Sequence, residues 1–92
     1  MQINLYATFR MIAGVKSIEI DLIEGETVRA AVQKIIKKYP VLRSHWTDHF
    51  GALYPHVHIL VNGSDVDTLP DQIDTVLKPT DSLDFFPPVA GG

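Results

Sequence analysis

A single amphipathic helix limits what this chain can fold into. Thr27 is a typical N-cap, and apolar residues then recur with a helical period until Tyr39-Pro40, which ends the pattern. The apolar face consists of Val28, Ala31, Val32, Ile35 and Ile36. The opposite face consists of Arg29, Gln33, Lys34, Lys37 and Lys38. One such helix needs a sheet to cover its apolar face, so the sequence predicts a two-layer α+β domain with a solvated charged helix face.

Alternating segments on both sides of the helix predict the strands of that sheet. Residues 2–9 and 17–23 carry apolar side chains at every second position, with Gly14 in the short link between them. We therefore expect these two segments to form a β-hairpin. A third strand is predicted over residues 56–61, followed by a tight turn at Asn62-Gly63 and a short strand or bend near Val66.

The last strand is predicted over Ser82–Phe86. Its alternation places Leu83 and Phe85 toward the core and Phe86 on the other face of the sheet. An exposed aromatic side chain at that point suits a surface that binds a partner protein. We therefore expect Phe86 to belong to a partner surface.

Residues 41–58 combine an irregular segment with all four histidines of the chain. Apolar residues at roughly helical spacing predict a short helical turn over the edge of the core; they are Leu42, Trp46, Phe50 and Leu53. The histidines are His45, His49, His56 and His58, and pairs four or two residues apart also occur in metal sites. Cysteine is absent, and histidines in such a segment are more often surface or partly packed groups. We predict no metal ion here.

The sequence ends in a stiff and then very slender segment, Pro87, Pro88, Val89, Ala90, Gly91 and Gly92. The two prolines fix φ and lack backbone donors, whereas glycine has no Cβ and can pass through a channel too narrow for other residues. A carboxylate at the tip of such a segment suits acyl chemistry, in which Gly92 is activated and its acyl carbon passes to a nucleophile. We expect a folded domain over residues 1–86 and a flexible tail over residues 87–92.

The composition of the chain limits which classes of partner and which cellular compartment are expected. The chain has 92 residues with a net charge of −3, which is enough for one domain and argues weakly against nucleic acid as the main partner. Cysteine is absent, so disulfides and thiolate chemistry are excluded for this sequence. No apolar run approaches the length of a membrane span, and the N-terminal residues do not have the pattern of a signal peptide. We expect a cytoplasmic protein that does not bind membranes.

The order of the predicted elements and the segment from Phe85 to Gly92 resemble the ubiquitin-like β-grasp sulfur carriers, and most closely the small subunit of molybdopterin synthase. Further features of the resemblance are Val61-Asn62-Gly63 before a short strand and Thr80-Asp81 before the last one. The resemblance implies a β-grasp fold, with a mixed sheet packed on one main helix. The segment over residues 41–55 is longer than in the shortest members of the family. In this respect it is similar to the carriers of the cysteine pathway and to the archaeal modifiers.

What the resemblance implies about function concerns the tail. A ubiquitin-activating-type adenylyltransferase would use ATP to adenylate Gly92, and a sulfur donor would convert the adenylate to a thiocarboxylate. A larger synthase subunit would then receive the tail, with residues from Pro87 to Gly91 in its channel. The chain itself would bind no cofactor and catalyse nothing alone. The pathway stays open: the sulfur could serve molybdopterin, cysteine, thiamine or tRNA thiolation, or the protein could be a modifier conjugated to lysines.

Overall fold

The computed structural model describes residues 1–88. Their β-strands are β1 (Gln2–Leu5), β2 (Ser17–Glu19), β3 (His58–Val61), β4 (Ser64–Asp65) and β5 (Ser82–Phe86). Their α-helices are α1 (Ala7–Ala13), α2 (Val28–Lys38) and α3 (Arg43–Trp46). Single 3₁₀ turns lie at Pro40–Leu42, Val66–Thr68 and Gln72–Asp74.

The strands form one mixed sheet with the order β2-β1-β5-β3-β4. β5 lies in the centre, parallel to β1 with Ile3 opposite Leu83, and antiparallel to β3 with Ile59 opposite Phe85. The inward side chains of these three strands are buried in one core with the apolar face of α2. This arrangement is the β-grasp fold, so the predicted α+β class is confirmed.

Helix α2 has the phase that the sequence predicts. The backbone N–H of Ala30 donates to Thr27 Oγ1 at 3.2 Å, which confirms the N-cap. All five residues of the predicted apolar face are buried. The charged face of the helix is not simply solvated, in contrast to the prediction. Arg29 donates a hydrogen bond to Asp74, and Lys34 and Lys38 donate to backbone carbonyls outside the helix. In the part of the chain that the structure describes, no helix has the length and hydropathy to cross a membrane.

The predicted hairpin between residues 2 and 23 is wrong in its connection. Strands β1 and β2 do pair antiparallel, with Ile3 opposite Ile18, but helix α1 lies between them. Phe9 is buried from this helix rather than from a strand, and Gly14 ends the helix in the left-handed conformation at φ +78°. The prediction failed because Phe9 is compatible with two patterns. It continues the strand alternation of β1, and together with Ile12 and Ala13 it also forms one face of a helix.

In the irregular segment, only some of the apolar residues that were predicted to cover the core edge do so. Leu42 and Trp46 are fully buried, from a 3₁₀ turn and from α3, whereas Phe50 is 94% exposed. Phe50 is turned outward because Asp48 Oδ1 accepts hydrogen bonds from the backbone N–H groups of Phe50 and Ala52, at 2.8 and 3.0 Å. The side-chain cap makes a local turn there, which overrides the helical spacing.

The tight turn at Asn62-Gly63 is confirmed and is fastened to the start of β5. Both residues have positive φ, +50° and +86°, as a two-residue turn between antiparallel strands requires. Asn62 Nδ2 donates to Asp81 Oδ1 at 2.8 Å, and the backbone N–H of Ser82 donates to Asn62 Oδ1 at 2.9 Å. The backbone N–H of Lys78 donates to Asp81 Oδ2 at 2.7 Å. These bonds fix where β5 enters the sheet.

The Asp81 carboxylate gives stability a predictable pH dependence. The hydrogen bond from the Lys78 backbone, and then that from Asn62, hold the pKa of Asp81 below its usual value. Because the pKa of Asp81 is lower in the folded state than in the unfolded state, its carboxylate stabilises the fold above the unfolded pKa of about 4. This stabilisation is lost as the pH falls through the folded-state pKa. We expect Asp81→Asn to lose less unfolding free energy than the parent protein between about pH 4 and pH 2. Urea unfolding across that range checks this, and equal acid losses in the two proteins would contradict it.

Candidate functional site

The candidate site is the end of β5, where the chain leaves the sheet toward the tail. Leu83 and Phe85 are fully buried, while Asp84 and Phe86 are half-buried on the other face, so the predicted phase of this strand is confirmed. Pro87 is half-buried and follows directly. We call Phe86, Pro87 and the side chains in contact with Phe86 the tail root.

Beneath the tail root, aromatic side chains anchor β5 to the rest of the core. The rings of Phe85 and Trp46 stack with centroids 4.4 Å apart and an angle of 7° between their planes. Phe9 meets the same Trp46 edge-on at 5.6 Å. Large aromatic rings bury much apolar area and add a geometric preference of their own. The last residues of β5 therefore rest on a three-ring cluster supplied by α1, α3 and β5.

Above the sheet, Phe86 takes part in a second aromatic stack that the sequence patterns did not reveal. Its ring lies 4.2 Å from that of Tyr6, with an angle of 10° between the planes. The Arg10 guanidinium carbon lies 5.7 Å from the Tyr6 ring centroid, and Arg10 Nε donates to Leu5 O at 3.1 Å. The backbone N–H of Tyr6 also donates to Phe85 O at 3.2 Å. Tyr6 thus belongs to the tail root, and Arg10 lies against it over the Tyr6 ring.

A signal for Tyr6 was present in the sequence. Its position in the alternating pattern already placed it on the outward side of the first strand. A central last strand parallel to the first then brings the residue after Leu5 beside the residue after Phe85. Arg10 had no such signal, because its position depends on helix α1, which the alternation concealed.

The open face of the sheet changes from aromatic to polar away from the tail root. His58 lies opposite Phe86 on the neighbouring strand, and Leu60 lies opposite Asp84. Asn4 Nδ2 donates to Asp84 Oδ1 at 2.8 Å, which links β1 to β5. This face therefore presents an apolar, partly aromatic end beside the tail and a hydrogen-bonded centre.

The four histidines are not brought together. His58 lies on the open sheet face, and the ring of His56 stacks on that of Tyr54 with centroids 5.1 Å apart. His45 and His49 line an open pocket of about 640 Å³ beside α3. Within residues 1–88, no three or more His, Cys, Asp or Glu residues are grouped so that they could hold a metal ion.

Most of the predicted tail lies outside the residues that the structure describes. Val89, Ala90, Gly91 and Gly92 belong to that part, so the role of the Gly92 carboxylate stays a prediction. Pro88, the last described residue, is exposed to solvent.

Comparisons with known proteins give consistent results along the chain. The family model described as the ThiS family matches residues 3–92. Small archaeal modifier protein 3 of Haloferax volcanii is 35% identical over 92 residues, covering 100% of this chain and 98% of the relative. The crystal structure of SAMP1 from Haloferax volcanii has a TM-score of 0.88 at 28% identity and covers 99% of this chain and 97% of that one.

A further solved structure, from Pyrococcus furiosus, is described as a candidate molybdopterin converting factor, subunit 1. It has a TM-score of 0.74 at 33% identity, covering 96% of this chain and 95% of that one. All of these matches extend over almost the whole length of both proteins, so they concern the entire fold rather than one motif.

The two neighbouring phenylalanines provide a test of this geometry. We expect Phe85→Ala to lower the free energy of unfolding by about 3–5 kcal/mol, because it leaves a cavity under Trp46. Phe86→Ala removes a half-buried ring stacked on Tyr6 and should cost only about 1–2 kcal/mol. Urea unfolding of both variants measures the difference. Equal losses would contradict the assignment of these rings to opposite faces.

Proposed function

Because the chain belongs to the ThiS family of ubiquitin-like sulfur carriers and modifiers, we propose that it is a sulfur carrier that acts through the carboxylate of Gly92. Members of this family are small carriers and modifiers rather than enzymes. The observation that carries the proposal is the position of β5, a central strand whose last residues are held on both faces by aromatic rings and lead directly into Pro87-Pro88.

The proposed chemistry begins with activation, since a carboxylate is a poor acyl donor until one of its oxygens becomes part of a leaving group. An activating partner of the ubiquitin-activating type joins the Gly92 carboxylate to the α-phosphorus of ATP and releases pyrophosphate. A donor that delivers sulfur at the level of hydrosulfide then attacks the acyl carbon, and AMP leaves. The product is a thiocarboxylate on Gly92. Because the first step consumes ATP, the proposed compartment is the cytoplasm.

The chain's own contribution is a rigid root with a slender reactive end. Anchoring Phe85 under Trp46 fixes the direction in which the tail leaves the domain, which lowers the entropy that a partner must remove on binding. The prolines after Phe86 offer no backbone N–H that could pull the tail back onto the sheet. The absence of side chains at Gly91 and Gly92 suits a narrow channel in the partner.

As the destination of the sulfur we propose molybdopterin biosynthesis, with this chain as the small subunit of the synthase. The support is the resemblance to the Pyrococcus furiosus structure, whose description makes it one subunit of a molybdopterin converting factor. Under this proposal the tail residues from Pro87 to Gly91 occupy a channel in a larger synthase subunit, and Gly92 presents its sulfur there. Carriers for cysteine, thiamine or tRNA thiolation would use the same activated end.

A second candidate function is protein modification, because the relative with 35% identity is named a modifier protein. The same adenylate would then react with a lysine amine of a target, forming an isopeptide bond as AMP leaves. The two functions share their activation step and differ in the nucleophile that takes the acyl group. They therefore leave different covalent products.

Mass spectrometry of the protein from its native host separates these functions. We expect the intact chain to carry one sulfur in place of one oxygen at Gly92, and an alanine added after Gly92 to abolish this product and sulfur transfer. Val89→Ala, which keeps the Gly92 carboxylate in place, is the control. Isopeptide-linked branches that end in Gly92 on target lysines, without thiocarboxylate, would favour the modifier. Unchanged sulfur transfer by the extended chain would refute both.

The tail root should anchor the activating partner. Burial of the Phe86 ring at the interface is expected to contribute about 2 kcal/mol, so Phe86→Ala should weaken binding of that partner by more than tenfold. Phe50→Ala is the matched control, since it removes the same side chain from a fully exposed position elsewhere. Isothermal titration calorimetry measures both. Equal effects of the two substitutions would remove Phe86 from the interface.

A further inference from the structure

The turn between β3 and β4 contains an asparagine followed by a glycine, a pair that can react with itself. The chain has two asparagines, Asn4 and Asn62, and only Asn62 precedes a glycine. Both Asn62 and Gly63 are exposed to solvent. Because Gly63 has no Cβ, and no atom beyond its chain neighbours lies within 4 Å of where one would be, its backbone nitrogen is unshielded. This nitrogen can therefore reach the Asn62 side chain whenever that side chain is free to turn.

In the folded protein the Asn62 side chain is not free, because both ends of its carboxamide are bonded to the start of β5. Nδ2 donates to Asp81 Oδ1 at 2.8 Å, and Oδ1 accepts from the backbone N–H of Ser82 at 2.9 Å. The backbone N–H of Asn62 also donates to Ser82 O at 3.0 Å. A reaction at Cγ turns the plane of the carboxamide toward Gly63 and removes Nδ2. It therefore cannot proceed without breaking both side-chain bonds.

We propose that Asn62 is a site of deamidation that the fold protects through Asp81 and Ser82. In the reaction the Gly63 nitrogen forms a bond to Asn62 Cγ, and Nδ2 leaves with the Gly63 proton as ammonia. The product is a five-membered succinimide ring. Water then opens the ring at one of its two carbonyls and returns a proton to the Gly63 nitrogen. Opening at one carbonyl gives aspartate, and opening at the other gives isoaspartate, in which the main chain runs through Cγ.

The rate of this reaction depends on how often the junction between the turn and β5 opens. Hydrogen bonds at a solvent-exposed junction break in local openings that do not unfold the whole domain. Each opening releases the carboxamide of Asn62 and exposes the amide of Ser82 at the same time, since the two groups are bonded to each other. Deamidation and hydrogen exchange at Ser82 are therefore two measures of one event.

Either product would unfasten the start of β5. A carboxylate at position 62 has no N–H to donate and lies against the Asp81 carboxylate, so repulsion replaces a hydrogen bond. Isoaspartate also adds one CH₂ to the main chain, which displaces the turn relative to the ladder between β3 and β5. Phe86 lies four residues further along the same strand, a distance of about 13 Å, so the change affects the strand that carries the tail. This inference does not depend on the chemistry of Gly92.

Incubation of the full chain at mildly alkaline pH, followed by mass spectrometry of its peptides, tests the proposal. We expect OH in place of NH₂ to accumulate at Asn62 and not at Asn4. Accumulation should be at least about tenfold faster in guanidinium chloride that unfolds the protein than in buffer. A methyltransferase specific for isoaspartyl groups identifies the isoaspartate fraction. Equal rates in the folded and unfolded protein would overturn the protection, and no modification in either would overturn the site itself.

A pair of variants tests which bond protects the site. Asp81→Ala removes the acceptor of the Nδ2 bond and should raise the deamidation rate in buffer at least about tenfold. Asp84→Ala is the matched control, because it removes from the same strand a carboxylate that accepts from Asn4 Nδ2, also at 2.8 Å. Equal acceleration by the two variants would overturn the assignment.

Should Asp81→Ala fail to fold, the parent protein decides. Its deamidation rate and the exchange rate of the Ser82 amide should rise in proportion as guanidinium chloride is increased below the unfolding transition. A deamidation rate that does not follow this exchange would overturn the proposal.

The consequence for β5 is measured on the deamidated fraction, which separates by anion exchange because the reaction adds one negative charge. We expect this fraction to unfold at a lower concentration of guanidinium chloride than the unmodified protein. Its Ser82 amide should exchange at least about tenfold faster, because the bond to the position 62 side chain is weakened or lost. Identical unfolding and identical exchange in the two fractions would show that the modification leaves β5 fastened.

Discussion

The parallel pairing of β1 and β5 is the interaction on which the rest of the structure depends. It places the last strand, β5, in the middle of the sheet between β1 and β3, where backbone hydrogen bonds hold it on both sides. A strand at the sheet edge would leave its last residues bonded on one side only and free to fray. Because β5 is central, the point at which the tail leaves the domain is fixed by the whole core.

Alternation along β5 places two neighbouring aromatic rings, those of Phe85 and Phe86, on opposite faces of the sheet, where they have different roles. Phe85 points inward and stacks on Trp46, and Phe86 points outward and stacks on Tyr6. The inner contact stabilises the fold, and the outer one presents an aromatic surface at a fixed place beside the tail. One residue of strand separates a structural side chain from the candidate recognition side chain. A change in strand phase would exchange the two roles.

Charge has a second organising role at the sheet edge. The lysines of α2 do not merely keep the helix soluble, because two of them reach the outward carbonyls beside β2. Lys34 also pairs with Glu26, which lowers the pKa of that carboxyl group through the hydrogen bond between them. The helix is thereby fastened to the edge strand by polar groups as well as by its apolar face. Such groups protect an exposed strand edge from pairing with another strand.

The sequence by itself determined the elements whose signals are local. The 3.6-residue period gave α2 and all of its buried residues, Asn62-Gly63 gave the turn after β3, and the period of two gave β5 with its correct phase. These predictions held because each rests on backbone conformations and spacings that do not depend on distant residues. The resemblance of the last eight residues supplied the family, although four of them lie outside the described part of the chain.

Only the tertiary structure decided what the ambiguous segments do. Residues 7–9 fitted the alternation of the first strand, but in the structure they begin helix α1, from which Phe9 packs against Trp46. That helix places Arg10 over Tyr6, and the parallel register places Tyr6 on Phe86. The lysine bonds to the β2 edge likewise join residues far apart in sequence. Such contacts depend on how whole elements are positioned in three dimensions, which no local pattern of residues encodes.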